Sequence, residues 1–228
     1  MARYLILGAG KFGRLALQRL AREKSDVFVV VEHRPEALAA ARALAIPKVE
    51  WVAADAIAFL AANLGANSPW DWLIPMAPVH VAVAWLLAGP LKGWETAAVP
   101  EELGQLAPVW FRGPEGQLYL SRAAHLCPDD CPEPDSFCPV SGEARQAPLS
   151  AELAAVNLPG WSIRVIPSRQ LAPGVGGYPP EELLALGREL TGMAGKVLVA
   201  TACRCHGVVH GIRRTGDGRT TSISGLIA

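Results

Sequence analysis

Arg3-Tyr-Leu-Ile-Leu is a short apolar run that ends at Gly8, after which Phe12, Leu15, Ala16 and Leu20 recur at helical spacing. The period changes from strand to helix across a cluster of glycines. Asp26-Val-Phe-Val-Val-Val-Glu32 then gives an unbroken β-branched and aromatic run, the pattern of a strand buried on both faces in a parallel sheet. Pro35 suits a first helical position, with Leu38, Ala41 and Ala45 on one face behind it. Val49 to Asp55 reads as a third strand, Ile57 to Leu64 as a helix and Trp70 to Pro75 as a fourth strand. Strands alternating with helices predict an α/β fold, a doubly wound, Rossmann-like parallel sheet.

The second half is patterned differently. Val-Trp-Phe and Leu-Tyr-Leu flank Gly113-Pro-Glu-Gly116 and predict a hairpin within Pro108 to Arg122. Trp161 to Pro167 reads as a strand and Ser168 to Tyr178 as a loop. A helix follows in which Leu183, Leu186, Leu190 and Met193 share a face, and Gly195 to Ala202 reads as a further strand. This β-loop-α-β unit is expected to rejoin the original sheet, with a separate small C-terminal domain as the competing topology. The organisation expected is a dinucleotide-binding half over 1–95, a hairpin and Cys/Pro-rich insertion over 96–150, the second unit over 151–212 and a polar tail over 213–228.

The glycines of the first turn match the demands of a dinucleotide one by one. Gly8 permits the tight turn, Gly10 lets the backbone approach a pyrophosphate, and Gly13 lets the helix pack closely on the strand. Amides at the helix start then face the phosphates. Glu32 lies about 20 residues further on, where a carboxylate accepts hydrogen bonds from ribose hydroxyls and repels a 2′-phosphate. NAD(H) is therefore expected over NADP(H), although the guanidinium of Arg34 works against that preference. Asp55, also at a strand end, is read either as an adenine-side contact or as a helix cap.

Residues 3 to about 90 resemble the RCK N-terminal (TrkA-N) domain, the NAD-binding Rossmann domain of potassium-transport regulators. The resemblance rests on Gly8-x-Gly10-x-x-Gly13, on Glu32 followed by His-Arg-Pro-Glu, and on Val-Ala-Ala-Asp55-Ala. It implies nucleotide binding by Gly8, Gly10, Lys11, Phe12, Gly13, Glu32, His33 and Asp55, and it implies dimerisation. It does not extend to a C-terminal RCK domain, so potassium regulation is not carried over.

Cysteines supply the second chemistry. In Cys127-Pro-Asp-Asp-Cys131-Pro and Cys138-Pro each thiol precedes a proline, which removes amide donors and stiffens the loop, and Cys203 and Cys205 follow in Thr-Ala-Cys-Arg-Cys-His206. Five cysteines offer four thiolate ligands and one spare, for an iron–sulfur cluster or for zinc, although neither standard spacing is present. A reactive thiol is the competing chemistry, which makes Cys203 and Cys205 catalytic candidates, and His80 is a third, as a general acid or base, because imidazole titrates near neutrality. A helix over Gly207 to Arg213 is entertained behind the last pair; it would depress their thiol pKa values.

Composition narrows the partners. Lys and Arg number 21 against 21 Asp and Glu in 228 residues, which argues against nucleic acid or an anionic membrane held by bulk charge. The apolar run Leu73 to Gly89 is too short to span a bilayer and is broken by Pro75, Pro78 and His80. Without a signal-peptide pattern at Met1, a cytoplasmic protein is expected. Charged residues make up 18%, below the roughly 25% usual for soluble domains, which suggests a homodimer burying some of the surface.

The expected function is a soluble NAD(H)-binding regulatory or redox-sensing protein with a cysteine-ligated metal site. The alternatives are an NAD-dependent oxidoreductase acting on a small-molecule substrate, and an assembly protein with an unused crevice.

Overall fold

The computed structural model describes residues 1–23 and 25–215. Among them, β1 (Arg3–Leu7), β2 (Val27–Val31), β3 (Val49–Val52) and β4 (Trp72–Pro75) form a parallel sheet in the order β3-β2-β1-β4. The connecting helices are α1 (Lys11–Leu20), α2 (Pro35–Arg42) and α3 (Ala56–Asn63), and α4 (Val81–Ala88) follows β4. Alternation along β1 explains why this sheet needs cover on both sides. Leu5 and Leu7 enter one core with Leu60, Val81 and Leu86, whereas Ile6 enters a second with Ala16, Leu17 and Leu20. The strand order reverses between β1 and β4, and the crevice that binds ligands in open α/β sheets lies at that point.

The free edge of β4 is closed by a hairpin. β9 (Arg169–Ala172) and β10 (Val175–Gly177) pair antiparallel, and Leu73 exchanges both backbone hydrogen bonds with Tyr178, at 2.9 and 3.1 Å. The segment Ser168 to Tyr178, expected as a loop, is this hairpin.

The second half builds its own sheet, which corrects the expectation that 151–212 completes the first. β6 (Val109–Arg112), β7 (Leu118–Ser121), β12 (His206–Arg214), β11 (Lys196–Ala202) and β8 (Ser162–Pro167) follow one another across it, and β5 (Trp94–Ala97) pairs with the far half of β12. β8 and β11 are parallel neighbours joined through α6 (Pro180–Thr191), so the β-loop-α-β unit exists. It does not reach the first sheet because the hairpin already occupies β4's edge. Gly207 to Arg213 is strand, not helix. Gly211 tolerates the close pairing there, since a Cβ at this position would lie 2.4 Å from the Ala97 carbonyl oxygen.

Side chains at alternate positions of β11 join the two halves. Val197 and Val199 enter the core that holds Leu5, Leu7 and the α6 residues Leu183 and Leu190. Leu198, Ala200 and Ala202 face away, against Leu149 and Leu153 of α5 (Leu149–Ala155). Of the expected tail, Arg213 and Arg214 belong to β12, and 216–228 lie outside the described residues. No helix among the described residues is long and apolar enough to cross a membrane.

Candidate functional site

Three local arrangements carry the candidate chemistry. The first is the glycine turn. Gly8 has φ +106°, its amide donates to the Val31 carbonyl at 2.8 Å, and a Cβ there would lie 2.8 Å from the Met76 carbonyl oxygen. A Cβ on Gly13 would lie 2.0 Å from the Gly8 carbonyl oxygen. Both positions therefore exclude a side chain, as the close packing of a dinucleotide turn requires. The first turn of α1 carries no acidic residue of its own, so the positive end of its dipole is free to face an anion.

Glu32 is 4% exposed and braces this turn. One carboxylate oxygen accepts from the Ala9 amide at 2.9 Å. The other accepts from the Arg34 amide at 2.9 Å and from its Nε at 3.1 Å. Burial alone would raise its pKa, but the hydrogen bonds from Arg34 and Ala9 outweigh burial and hold it at about 2. His33 Nδ1 lies 3.4 Å from the same carboxylate. Arg34 is thus turned onto Glu32. Asp55 caps α3, accepting from the amides of Ile57 and Ala58 at 2.9 Å each. Phe12 is exposed, with the Lys11 ammonium 5.0 Å from its ring centre.

The second arrangement centres on His80, which directly precedes α4 and is 7% exposed. Its Nδ1 meets His210 Nδ1 at 2.9 Å and its Nε2 meets Thr201 Oγ1 at 3.1 Å, so both ring nitrogens are engaged within the protein. His210 Nε2 lies 3.2 Å from the Glu115 carboxylate.

The third is the cysteine segment. The carbonyl of Cys131 accepts from the Gly174 amide at 3.0 Å and from Gln170 Nε2 at 2.8 Å, which fixes the segment on the β9–β10 hairpin. Between the first two cysteines, Asp129 reaches the glycine turn: its carboxylate pairs with Lys11 at 2.6 Å, and its carbonyl accepts from Arg19, which also holds the Pro173 carbonyl at 3.0 Å. Cys138 closes a turn through its amide to the Glu143 carbonyl at 2.8 Å, and His125 Nε2 stands 3.8 Å from its sulfur. Arg145 Nη1 lies 2.5 Å from the sulfur of Cys205.

Chain segments far apart in sequence thus bring Cys127, Cys131, Cys138 and Cys205 within electrostatic reach of one another. All five are half-buried free thiols. Hydrogen bonds from the backbone and hydroxyl of Ser141 and from the Val140 amide hold the Cys138 thiol near 7, whereas burial pushes Cys203 up to about 12. Cys203 and Cys205 stand in the turn before a strand, so the helix expected to depress their pKa values is absent. Among the described residues no three His, Cys, Asp or Glu side chains converge closely enough to hold a metal ion. Asp129, Arg145, Thr201 and His210 belong to no motif of the sequence. His210 had a signal in the period-2 run Val208, His210, Ile212; Asp129 and Arg145 had none.

Residues 4–66 match the TrkA-N domain family, and residues 71–215 match a family described as "Uncharacterized protein, C-terminal domain". A protein of Archaeoglobus fulgidus described as "Uncharacterized protein" is 32% identical over 222 residues, which cover 92% of this chain and 99% of the relative. No solved structure matches the chain.

Proposed function

The chain belongs to the family that joins a TrkA-N domain, a nucleotide-binding domain of Rossmann type, to the C-terminal domain matched over 71–215, and on that premise we propose that it is an NAD(H)-binding regulatory or redox-sensing protein of the cytoplasm. The observation that carries the reading is Glu32. Its buried carboxylate stands at the end of β2, in contact with the glycine turn through Ala9 and covered by Arg34, and with the Arg34 side chain swung aside it would meet ribose hydroxyls and disfavour a 2′-phosphate. The dinucleotide contacts are Gly8, Gly10, Lys11, Phe12 and Gly13 on the pyrophosphate side and Glu32 and His33 on the ribose side, with Asp55 at the adenine edge. Asp55 acts there only by holding α3, since its carboxylate is taken up by the cap.

The cysteine segment is the second input. It carries a metal centre, zinc or iron–sulfur, and it communicates with the nucleotide through Asp129 on Lys11. A sensor needs only different nucleotide affinities in two states of that segment, whereas an oxidoreductase needs an acid or base free to meet a substrate. Both nitrogens of His80 are committed to Thr201 and His210, which favours the sensor. Self-association belongs to the same reading. The edge strand β6 leaves Val109, Trp110 and Phe111 exposed beside unpaired backbone, a surface suited to a second copy.

The reading is tested by titrating the chain with NADH and NADPH and following tryptophan fluorescence. NADH is expected to bind about tenfold or more tightly than NADPH, the order of one charge-assisted contact. Tighter NADPH binding, or saturable binding of neither, overturns it.

A further inference from the structure

In the free chain Glu32 has no acceptor site left over. An ionised carboxylate offers about four lone-pair positions, two on each oxygen. Oε2 accepts from the Ala9 amide at 2.9 Å and from Arg34 Nη2 at 3.2 Å. Oε1 accepts from the Arg34 amide at 2.9 Å and from Arg34 Nε at 3.1 Å. Two of these four donors are backbone and stay where they are. The Ala9 amide belongs to the glycine turn, and the Arg34 backbone is fixed by its carbonyl, which accepts from the Leu38 amide at 3.1 Å, and by Pro35 behind it at the start of α2. The guanidinium is the part that can leave, because the Arg34 side chain is 49% exposed.

The two donors that can leave have the form of the group that would arrive. Nε and Nη2 reach one carboxylate oxygen each, side by side, and a ribose 2′,3′-diol presents two adjacent hydroxyls to the same pair of oxygens. A diol alone does not balance the exchange. Neutral hydroxyls would replace a cation on a buried carboxylate, and the guanidinium would be left without an anion. The replacement anion is the ligand's own phosphate. Nη2 lies 3.5 Å from the point that a Cβ on Gly10 would occupy, and Gly10 is the bare backbone that lets a pyrophosphate approach.

We infer that Arg34 stands in for the ribose diol in the free chain and passes from Glu32 to the ligand's pyrophosphate on binding, so that the site opens to a ligand carrying a free 2′,3′-diol and a phosphate together. This rests on the nucleotide reading above and specifies its ligand class, an adenosine 5′-diphosphate unit, with Arg34 as the residue that sets the specificity. A nucleoside without phosphate strips Arg34 from Glu32 and gives it nothing in return. A phosphate without the diol leaves Glu32 free to recapture it.

The test titrates the full chain by calorimetry with adenosine, ADP, NADH and NADPH, as wild type, Arg34→Met and Arg34→Lys. Methionine keeps an unbranched stem without the charge, and lysine keeps the charge without two parallel donors. Since the Arg34 side chain is half exposed, both variants are expected to fold. Adenosine is expected to bind severalfold more tightly to Arg34→Met than to the wild type, because Glu32 is uncovered. The gain in affinity from adenosine to ADP is expected to shrink about tenfold in the same variant, the order of one charge-assisted contact. Arg34→Lys is expected to show the tighter adenosine binding and to keep most of the gain from ADP. Equal adenosine affinity in all three proteins overturns the inference. So does an adenosine-to-ADP gain as large in Arg34→Met as in the wild type, or a loss of affinity in Arg34→Met confined to NADPH, which would place the guanidinium on the 2′-phosphate instead. Saturable NADH binding by the wild type in any of these cases leaves the nucleotide reading standing. Saturable binding of neither NADH nor NADPH removes both.

Discussion

His80 and His210 meet Nδ1 to Nδ1 at 2.9 Å across the joint between the two sheets, and this contact determines both tautomers. Ionised Glu115 only accepts, so His210 Nε2 carries a proton and the Nδ1 of a neutral His210 is an acceptor. His80 Nδ1 must then donate, which leaves His80 Nε2 to accept from the Thr201 hydroxyl. The result is a directed chain from Thr201 through both imidazoles to a carboxylate at the surface.

A pH dependence follows from that chain. Burial, with His210 beside it, pushes His80 down to about 3, and burial also lowers His210 against the opposing pull of Glu115. Unfolded imidazoles titrate near 6.5, so between these values the unfolded chain binds more protons than the folded one, and stability falls as pH falls. Urea midpoints measured from pH 7 down to pH 4 are expected to drop steadily, with unfolding taking up about one proton or more. The double variant His80→Leu/His210→Leu is expected to reduce the slope above about pH 4.5, where the carboxylates have yet to contribute, leaving the share of His206, which burial also lowers. An unchanged slope rejects the assignment.

Glu32 titrates in a different window. Held at about 2, it stays ionised throughout the range in which the imidazoles change, so any change in discrimination between NADH and NADPH from pH 7 to pH 5 is expected to follow the 2′-phosphate, whose second pKa is about 6, and not Glu32. Glu32→Gln keeps the shape and removes the charge. It is expected to cut the NADH preference by about tenfold or more, as measured by paired titrations.

The first sheet was legible because each of its strands is a local event. β1 and β2 are apolar runs punctuated by Gly8 and Glu32, and the helices between them keep their period. The second sheet is non-local: β12 pairs with β7 along one half and with β5 along the other, and nothing in Trp94-Glu-Thr-Ala97 announces a strand before its partner is known. The run His206 to Arg214, with two glycines and alternating valines, carries the period of a strand, and that period should outweigh its likeness to a helix. The cysteines were legible as a group of three and a group of two. Their meeting was not, because Arg145, which lies against Cys205, has no motif.

Gly174 tests whether the cysteine segment is docked as the structure has it. It has φ +68°, and a Cβ there would lie 1.7 Å from the Asp129 carbonyl oxygen. Gly174→Ala must push that backbone away and is expected to cost about 1–3 kcal/mol. Gly142 has a similar φ of +73° with nothing within 4 Å, so Gly142→Ala controls for backbone strain alone. Limited proteolysis is expected to cut the segment around Cys131 faster in Gly174→Ala than in Gly142→Ala. Equal rates would mean that the hairpin does not hold the segment.

The pairing of Lys11 with Asp129 makes the last prediction, because it sets two anions in competition for one cation. Lys11 opens α1, where a pyrophosphate would approach, and in the ligand-free chain its ammonium is held 2.6 Å from a carboxylate. Both side chains are substantially exposed, at 63% and 41%, so the pair contributes little to stability. Its effect is on binding: the dinucleotide must detach Lys11 from Asp129 or accept a carboxylate beside its phosphates. Asp129→Asn is expected to change the urea midpoint only slightly, within the roughly 0–1 kcal/mol of an exposed pair. It should also tighten NADH severalfold, with the gain largest at low salt, where the competing charge is least screened. Lys11→Met should weaken NADH, and in the double variant the benefit of Asp129→Asn should shrink, since the carboxylate no longer competes for a cation. Full additivity in that double-mutant cycle would mean that the two residues act on the nucleotide independently, and that the cysteine segment does not communicate with it through this contact.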